Sequence, residues 1–96
     1  MGHGGSLRGV VGSITWRCYT AAAINGYRVT RSAAGAWRLR ALVVTADSFK
    51  LKQEPLVFVA PHATGAWCWP IRSVEWTTEQ GTWPKEITAT LDPPFP

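Results

Sequence analysis

Short segments in which apolar and polar residues alternate with period two dominate this sequence and restrict the folds open to it. The clearest is residues 36–46, in which one face carries only apolar side chains: Trp37, Leu39, Ala41 and Val43. Arg38 and Arg40 begin the opposite face, and Leu42 and Val44 continue it. We therefore expect a strand that starts half-exposed and ends buried on both sides.

Similar segments recur along the chain and are separated by turn-forming residues. They are residues 13–20, 27–31, 49–52, 56–60, 66–69, 71–76 and 87–91. Proline cannot donate to a central ladder, so Pro55, Pro61 and Pro70 are expected to bound a buried strand, 56–60, and a short aromatic strand, 66–69. Residues 32–35 are small and predict a turn.

The segment around Asn25-Gly26 allows two interpretations. Residues 21–24 could extend a helix that Asn25-Gly26 ends, and the same dipeptide is a strong hairpin signal. Alternation resumes at Tyr27, which favours the hairpin.

These patterns predict the fold class. No amphipathic helix of useful length is present, and turn signals recur at roughly 8–12-residue intervals. We expect a mostly-β protein, a small antiparallel barrel or two-sheet sandwich of five to seven short strands. Residues 1–12, rich in glycine, are expected to be a flexible N-terminus, with one β domain over 13–96. The predicted core is Trp37, Leu39, Val43, Phe49, Leu51, Leu56, Phe58, Trp67, Trp69, Ile71, Ile87 and Leu91.

The charges are unevenly distributed. The net charge is +4; residues 1–40 contain six arginines and no acidic residue, whereas residues 73–96 contain four acidic residues and one lysine. Such a distribution suits a basic face that meets an acidic partner, although arginines pointing outward from strands into solvent would give the same pattern.

The sequence offers little for catalysis, metals or membranes. Neither cysteine lies in a catalytic motif with His62, and His3, Cys18, His62 and Cys68 match no zinc spacing. We expect Cys68, between two tryptophans, to be a small core residue. No enzyme activity, metal or cofactor is expected, and no apolar segment is long enough to cross a bilayer as a helix. Without a signal-peptide pattern or dense cysteines, we expect a soluble intracellular protein with reduced cysteines.

Binding is the function class that remains. We expect most of the six tryptophans to serve the core, and a small β domain that buries two or three has others left to contact a partner or a second copy of the chain. Basic and aromatic residues also adjoin, as in a nucleic-acid-binding barrel, but alternation puts Trp37 and Arg38 on opposite faces. The candidate binding residues are Arg28, Arg31, Arg38, Arg40, Trp76 and Trp83.

Part of the chain resembles a sequence pattern of small proteins encoded by phages and prophages. The resemblance lies in residues 37–71, with PLVFVAPH and GAWCWPI, and in ITATLDPP at 87–94. It assigns no activity and no functional residue. It implies an accessory inhibitor of a host defence component, or a virion or assembly component, and therefore a location in the host cytoplasm or in the virion. We therefore expect a non-enzymatic protein that acts by protein–protein contacts, with a nucleic-acid-binding barrel that uses the arginines as the alternative.

Overall fold

The chain folds into a closed antiparallel barrel of six strands. The computed structural model describes residues 6–17, 19–46, 55–63, 65–76 and 84–95. The strands are β1 (Ser6–Trp16), β2 (Tyr19–Arg31), β3 (Trp37–Ala46), β4 (Leu56–His62), β5 (Gly65–Trp76) and β6 (Lys85–Leu91). Around the barrel their order is β1-β2-β3-β6-β5-β4. The predicted small antiparallel barrel is confirmed, and every strand except β3 is longer than the segment that predicted it.

Period-two alternation gives the barrel its interior. In β6, for example, residues 85, 87, 89 and 91 are buried while the intervening side chains are half-exposed. Of the predicted core, the buried residues are Leu39, Val43, Leu56, Phe58, Trp69, Ile87 and Leu91. Trp37, Trp67 and Ile71 are partly buried against this core. The predicted core residues Phe49 and Leu51, with the strand 49–52, lie outside the described residues.

The first hairpin does not lie where the sequence predicted it. β2 runs without interruption through Asn25-Gly26, so both the helix end and the hairpin at this dipeptide are wrong. The turn from β1 to β2 follows Trp16 instead: Trp16 pairs with Tyr19, and Arg17 has a φ of 49°. Segment 13–20 is therefore two strand ends and a turn.

The Asn-Gly dipeptide forms an irregularity inside β2. Gly26 has a φ of 95°, and the pairing of β2 with β3 shifts between Ile24 and Tyr27, as at a β-bulge. Two residues of β1, Val10 and Val11, face the irregularity, and both are exposed, at 71% and 62%. Because Gly26 can adopt a positive φ, β2 passes through this irregularity and continues as one strand.

The second half of the glycine-rich segment, residues 6–12, is part of the first strand. β1 begins at Ser6, so the first strand starts before the predicted boundary at residue 13. A Cβ on Gly9 would overlap the Tyr27 ring, and a Cβ on Gly12 would lie 3.1 Å from the Phe58 ring. Close packing against Tyr27 therefore requires glycine at position 9, whereas a side chain at position 12 would need only a small shift of the neighbouring atoms.

Two prolines do not end strands as expected. Pro70 lies in the middle of β5, and Pro61 lies within β4. Near Pro70, β5 changes partner: Gly65–Ile71 pair with β4, and the residues from Ile71 onward pair with β6. The predicted short aromatic strand 66–69 and the segment 71–76 are one strand.

The end of β3 also differs from expectation. Leu42 and Val44 are exposed, at 37% and 36%, so β3 is not buried on both sides. A closed barrel has one interior, and nothing among the described residues covers the outer face of β3 at these positions.

Replacing Gly9 with alanine should destabilise the fold by about 1–3 kcal/mol, because the methyl group would displace the Tyr27 ring. At an unhindered position the same change would be slightly stabilising, since it restricts the unfolded chain. Urea unfolding of Gly9→Ala, Tyr27→Leu and the double variant measures this. The cost of Gly9→Ala should fall in the Tyr27→Leu background, and strict additivity would contradict the packing argument.

Candidate functional site

Strand register places three arginines in one row on the outside of the barrel. Arg8 of β1 is opposite Arg28 of β2, and Arg28 is opposite Arg40 of β3. All three are exposed. Because adjacent strands are about 4.8 Å apart, the row spans about 10 Å. We call Arg8, Arg28 and Arg40 the arginine ladder.

The predicted site residues separate into two groups. Arg38 lies two residues before Arg40 and therefore shares its outward face, beside the ladder. Arg31 is exposed but pairs with Trp37 at the β2–β3 turn, where its guanidinium lies 5.5 Å from the Trp37 ring centroid. Trp76 ends β5, but its side chain lies outside the described part, as does Trp83. The structure brings together Arg28, Arg38 and Arg40, and it separates Arg31 from them.

Sequence analysis missed Arg8. It lies in the segment expected to be flexible, and only the pairing of Ser6–Thr30 through Gly9–Tyr27 reveals its position beside Arg28. The available signal was the Leu7-Arg8 alternation, which is too short to predict a strand without its partner.

The ladder is poorly neutralised. Arg40 Nη2 lies 3.1 Å from Glu86 Oε1, but both side chains are exposed, and such surface pairs contribute little. Within the described residues, Arg8, Arg28 and Arg38 form no ion pair. Like charges directly opposite each other on adjacent strands are destabilising. The free protein therefore carries a local electrostatic cost on this surface.

The sign of the charge changes around the barrel. The row that contains the ladder continues from Arg40 to Thr88 of β6 and then to Glu75 of β5. Arg72 of β5 pairs with Asp92 through contacts of 2.7 and 3.0 Å. The uneven charge of the sequence thus becomes a basic outer face on β1–β3.

Exposed aliphatic side chains adjoin the ladder. They are Val10 and Val11 of β1 and Leu42 and Val44 of β3. A groove of about 390 Å³ lies among Arg8, Arg28, Arg40 and Leu42, and Gly26 also lines it. We call the four arginines Arg8, Arg28, Arg38 and Arg40, together with Val10, Val11, Leu42 and Val44, the binding face.

Tyr27 connects the binding face to the core. It lines the groove, yet only 8% of it is exposed, and its ring lies 5.0 Å from that of Phe58 in an edge-on arrangement. Burial raises the pKa of the Tyr27 phenol above its ordinary value of 10.0, because the ionised form is poorly solvated there.

The tryptophans form a second feature at one mouth of the barrel. Trp37, Trp67 and Trp69 line a largely apolar cavity of about 240 Å³, together with Leu7 and Val29. The rings of Trp37 and Trp67 lie 6.0 and 6.2 Å from that of Trp69. These three tryptophans pack against the core and one another, which accounts for much of the aromatic content.

The remaining candidate groups give no second site. Cys68 is free and half-buried, on the opposite face of β5 from its tryptophan neighbours, so the expectation of a core residue there is wrong. The side chain of His62 and all of Cys18 lie outside the described residues. In the described part, no three His, Cys, Asp or Glu side chains are grouped as a metal site would require. No described helix is long and apolar enough to span a membrane.

The chain was compared with protein-family models, curated proteins and solved structures. No protein-family model matches the chain, and no curated protein or solved structure matches it.

Replacing Arg28, the centre of the ladder, with glutamine should raise the free energy of unfolding by about 0.2–1 kcal/mol at low salt. The change removes the repulsion between Arg28 and its two neighbours, Arg8 and Arg40. The gain should shrink in high salt, which screens exposed charges. Urea unfolding at two salt concentrations measures it. Arg72→Gln is the matched control, because it removes an ion pair and should not stabilise. Equal effects of the two changes would contradict the ladder argument.

Stability should also fall at alkaline pH through Tyr27. Its pKa in the folded state is raised, so its contribution is complete below the unfolded pKa near 10 and is lost as pH rises through the folded pKa. Urea unfolding between pH 8 and pH 11 should therefore show a steeper decline for the natural protein than for Tyr27→Phe. If the stability of both proteins declined equally with pH, ionisation of Tyr27 would not contribute to the decline, and the argument from its raised pKa would be contradicted.

Proposed function

We propose that this chain is a non-enzymatic binding protein that recognises an acidic protein surface through its binding face. The observation that carries the proposal is the arginine ladder, three aligned and largely unneutralised arginines on adjacent strands beside exposed aliphatic side chains. Arginine presents a planar fork of donors that suits carboxylates in two-point contacts.

The electrostatic cost of the ladder supports a binding role. Repulsion of Arg28 by Arg8 and Arg40 lowers the free energy of unfolding of the free protein. A partner with carboxylates would offset this repulsion when it binds. Arg40 already contacts Glu86, which shows the type of pairing that the other ladder positions can accept.

The neighbours of the ladder favour a protein over a nucleic acid. The exposed residues beside it are aliphatic, whereas sites for single-stranded nucleic acid combine arginines with aromatic rings on which bases stack. Tyr27, the aromatic residue at the groove, is buried. Protein interfaces, by contrast, join arginine to an apolar centre, which Val10 and Leu42 can supply.

The resemblance to phage and prophage proteins suggests where such a partner would be found. In this proposal it is either a host component, such as part of a defence system, or another protein of the virion, and the chain acts in the host cytoplasm or in the particle.

Affinity capture tests the proposal. The natural protein, immobilised, should retain an acidic protein from a lysate of bacterial host cells or from phage particles, and the double variant Arg28→Glu/Arg40→Glu should lose it. Arg72→Gln lies outside the binding face and should retain it. Moderate salt should weaken capture, because the contacts are partly exposed.

An electrophoretic mobility shift assay with single- and double-stranded DNA and RNA tests the alternative, that the partner is a nucleic acid and not a protein. A shift at low salt that the double variant abolishes, without capture of any acidic protein, would replace the protein partner by a nucleic acid. Capture that is equal for the natural protein and the double variant would exclude the ladder as the binding site.

A further inference from the structure

Strand β1 has an open edge. It pairs with β2 over its whole length, from Ser6 to Trp16. On its other side it pairs with β4 only at Ser13, Ile14 and Thr15. Among the described residues, no other strand pairs with Ser6 to Gly12. In the described part of the chain, the first half of β1 therefore extends past its pairing with β4 and has no strand partner on that side.

Residues 9–12 of this edge carry no side chain that would block edge pairing, and Arg8 is the one charged residue of Ser6–Gly12. Natural edges are protected by lysine, proline, bulged residues or a covering segment. Residues 9–12 read Gly-Val-Val-Gly, without a charge or a proline, and both valines are exposed. The facing end of β4 contains the exposed Pro61, which has no amide hydrogen to donate. Of these two described edges, that of β1 is therefore the one more open to pairing.

The arginine ladder ends at this edge. Arg8 is the ladder residue on β1, so a strand added beside β1 would lengthen the same row by one position. The residue opposite Arg8 would share its outward face, at the distance of a directly opposed cross-strand pair. A carboxylate there would face Arg8 and would lie in line with Arg28.

We propose that the acidic partner binds as an extended strand added to the open edge of β1 at Ser6–Gly12, with a glutamate or aspartate opposite Arg8. This inference rests on the proposed function and specifies its mode of binding. Main-chain hydrogen bonds to β1 supply affinity, and the carboxylate supplies register and selectivity.

The faces of β1 define the sequence that such a strand requires. Leu7 and Gly9 face inward, against Val29 and Tyr27, whereas Arg8 faces outward. A strand residue opposite Leu7 would lie at the mouth of the barrel, beside the apolar cavity that Leu7 and Trp67 line. The partner strand therefore alternates acidic residues, facing outward, with apolar residues, facing the cavity.

A second copy of this chain fits the edge less well. Residues 6–12 contain no acidic side chain, and their one charged residue is Arg8. Antiparallel pairing of two β1 edges would therefore leave both Arg8 side chains without a carboxylate, or would place them opposite each other. Charge complementarity selects an acidic strand from another protein.

The test uses the full chain and defined peptide probes. The first is a capped peptide of about seven residues in which glutamate and valine alternate. The second has the same sequence with alternate backbone amides N-methylated, which keeps its charges but prevents strand pairing. The third has the same composition with the alternation scrambled. Binding is measured by calorimetry at low salt, and amide hydrogen exchange is followed in the free and bound protein.

We expect the alternating peptide to bind and to slow exchange of amides between Leu7 and Gly12 by about tenfold or more. The N-methylated and scrambled peptides should bind at least about tenfold more weakly, since each lacks strand pairing or register. Arg8→Gln should weaken the alternating peptide by about fivefold, as loss of one partly exposed charge pair predicts. Arg72→Gln should leave its affinity unchanged.

Three results would overturn strand addition. The first is equal binding of the N-methylated peptide. The second is binding that leaves the β1 amides unprotected. The third is concentration-dependent protection of these amides in the free protein, which would assign the edge to a second copy. In each case capture of an acidic protein that depends on Arg28 and Arg40 would still stand. Loss of that capture, in contrast, removes the proposed function itself.

Discussion

Closure of the barrel depends on a short contact between β1 and β4. Three residue pairs join these strands: Ser13–Val59, Ile14–Phe58 and Thr15–Val57. The central pair is fully buried, and Phe58 also contacts the rings of Tyr27 and Trp69. Closure is therefore secured by a few large side chains at the middle of the barrel. The remaining length of β1 is free to extend past it.

The extension of β1 is held by its pairing with β2 and by the fit between small and large residues. Tyr27 lies against Gly9, and Phe58 lies close to Gly12, so the aromatic rings occupy space that side chains on β1 would otherwise fill. Glycine in an exposed segment normally favours disorder. Here it lets β1 approach the aromatic core closely enough to form a strand. The same choice of residues leaves the outer edge of β1 with little to block pairing.

Much of this fold was predictable from local alternation, and the errors share one physical cause. Residues 37–43 and 87–91 predicted their buried faces correctly because each has one inward face that period two reveals. Asn25-Gly26 and Pro70 gave turn signals but lie inside long strands. A glycine with positive φ serves a hairpin or a bulge equally well, and the pairing of neighbouring strands decides between them. Local sequence patterns do not indicate which strands pair or in which register.

The candidate site follows the same rule. Alternation identified Arg28, Arg38 and Arg40. The register of β1 with β2 places Arg8 beside Arg28. Arg31 lies apart from them, at the β2–β3 turn, where it packs over Trp37. Register therefore creates the ladder, and it also places the end of the ladder on β1, whose first half pairs on one side only among the described residues. A carboxylate bound at that edge would relieve the repulsion between Arg8 and Arg28. Electrostatic relief and strand pairing would then favour the same register of an incoming strand, so that neither has to specify the partner alone.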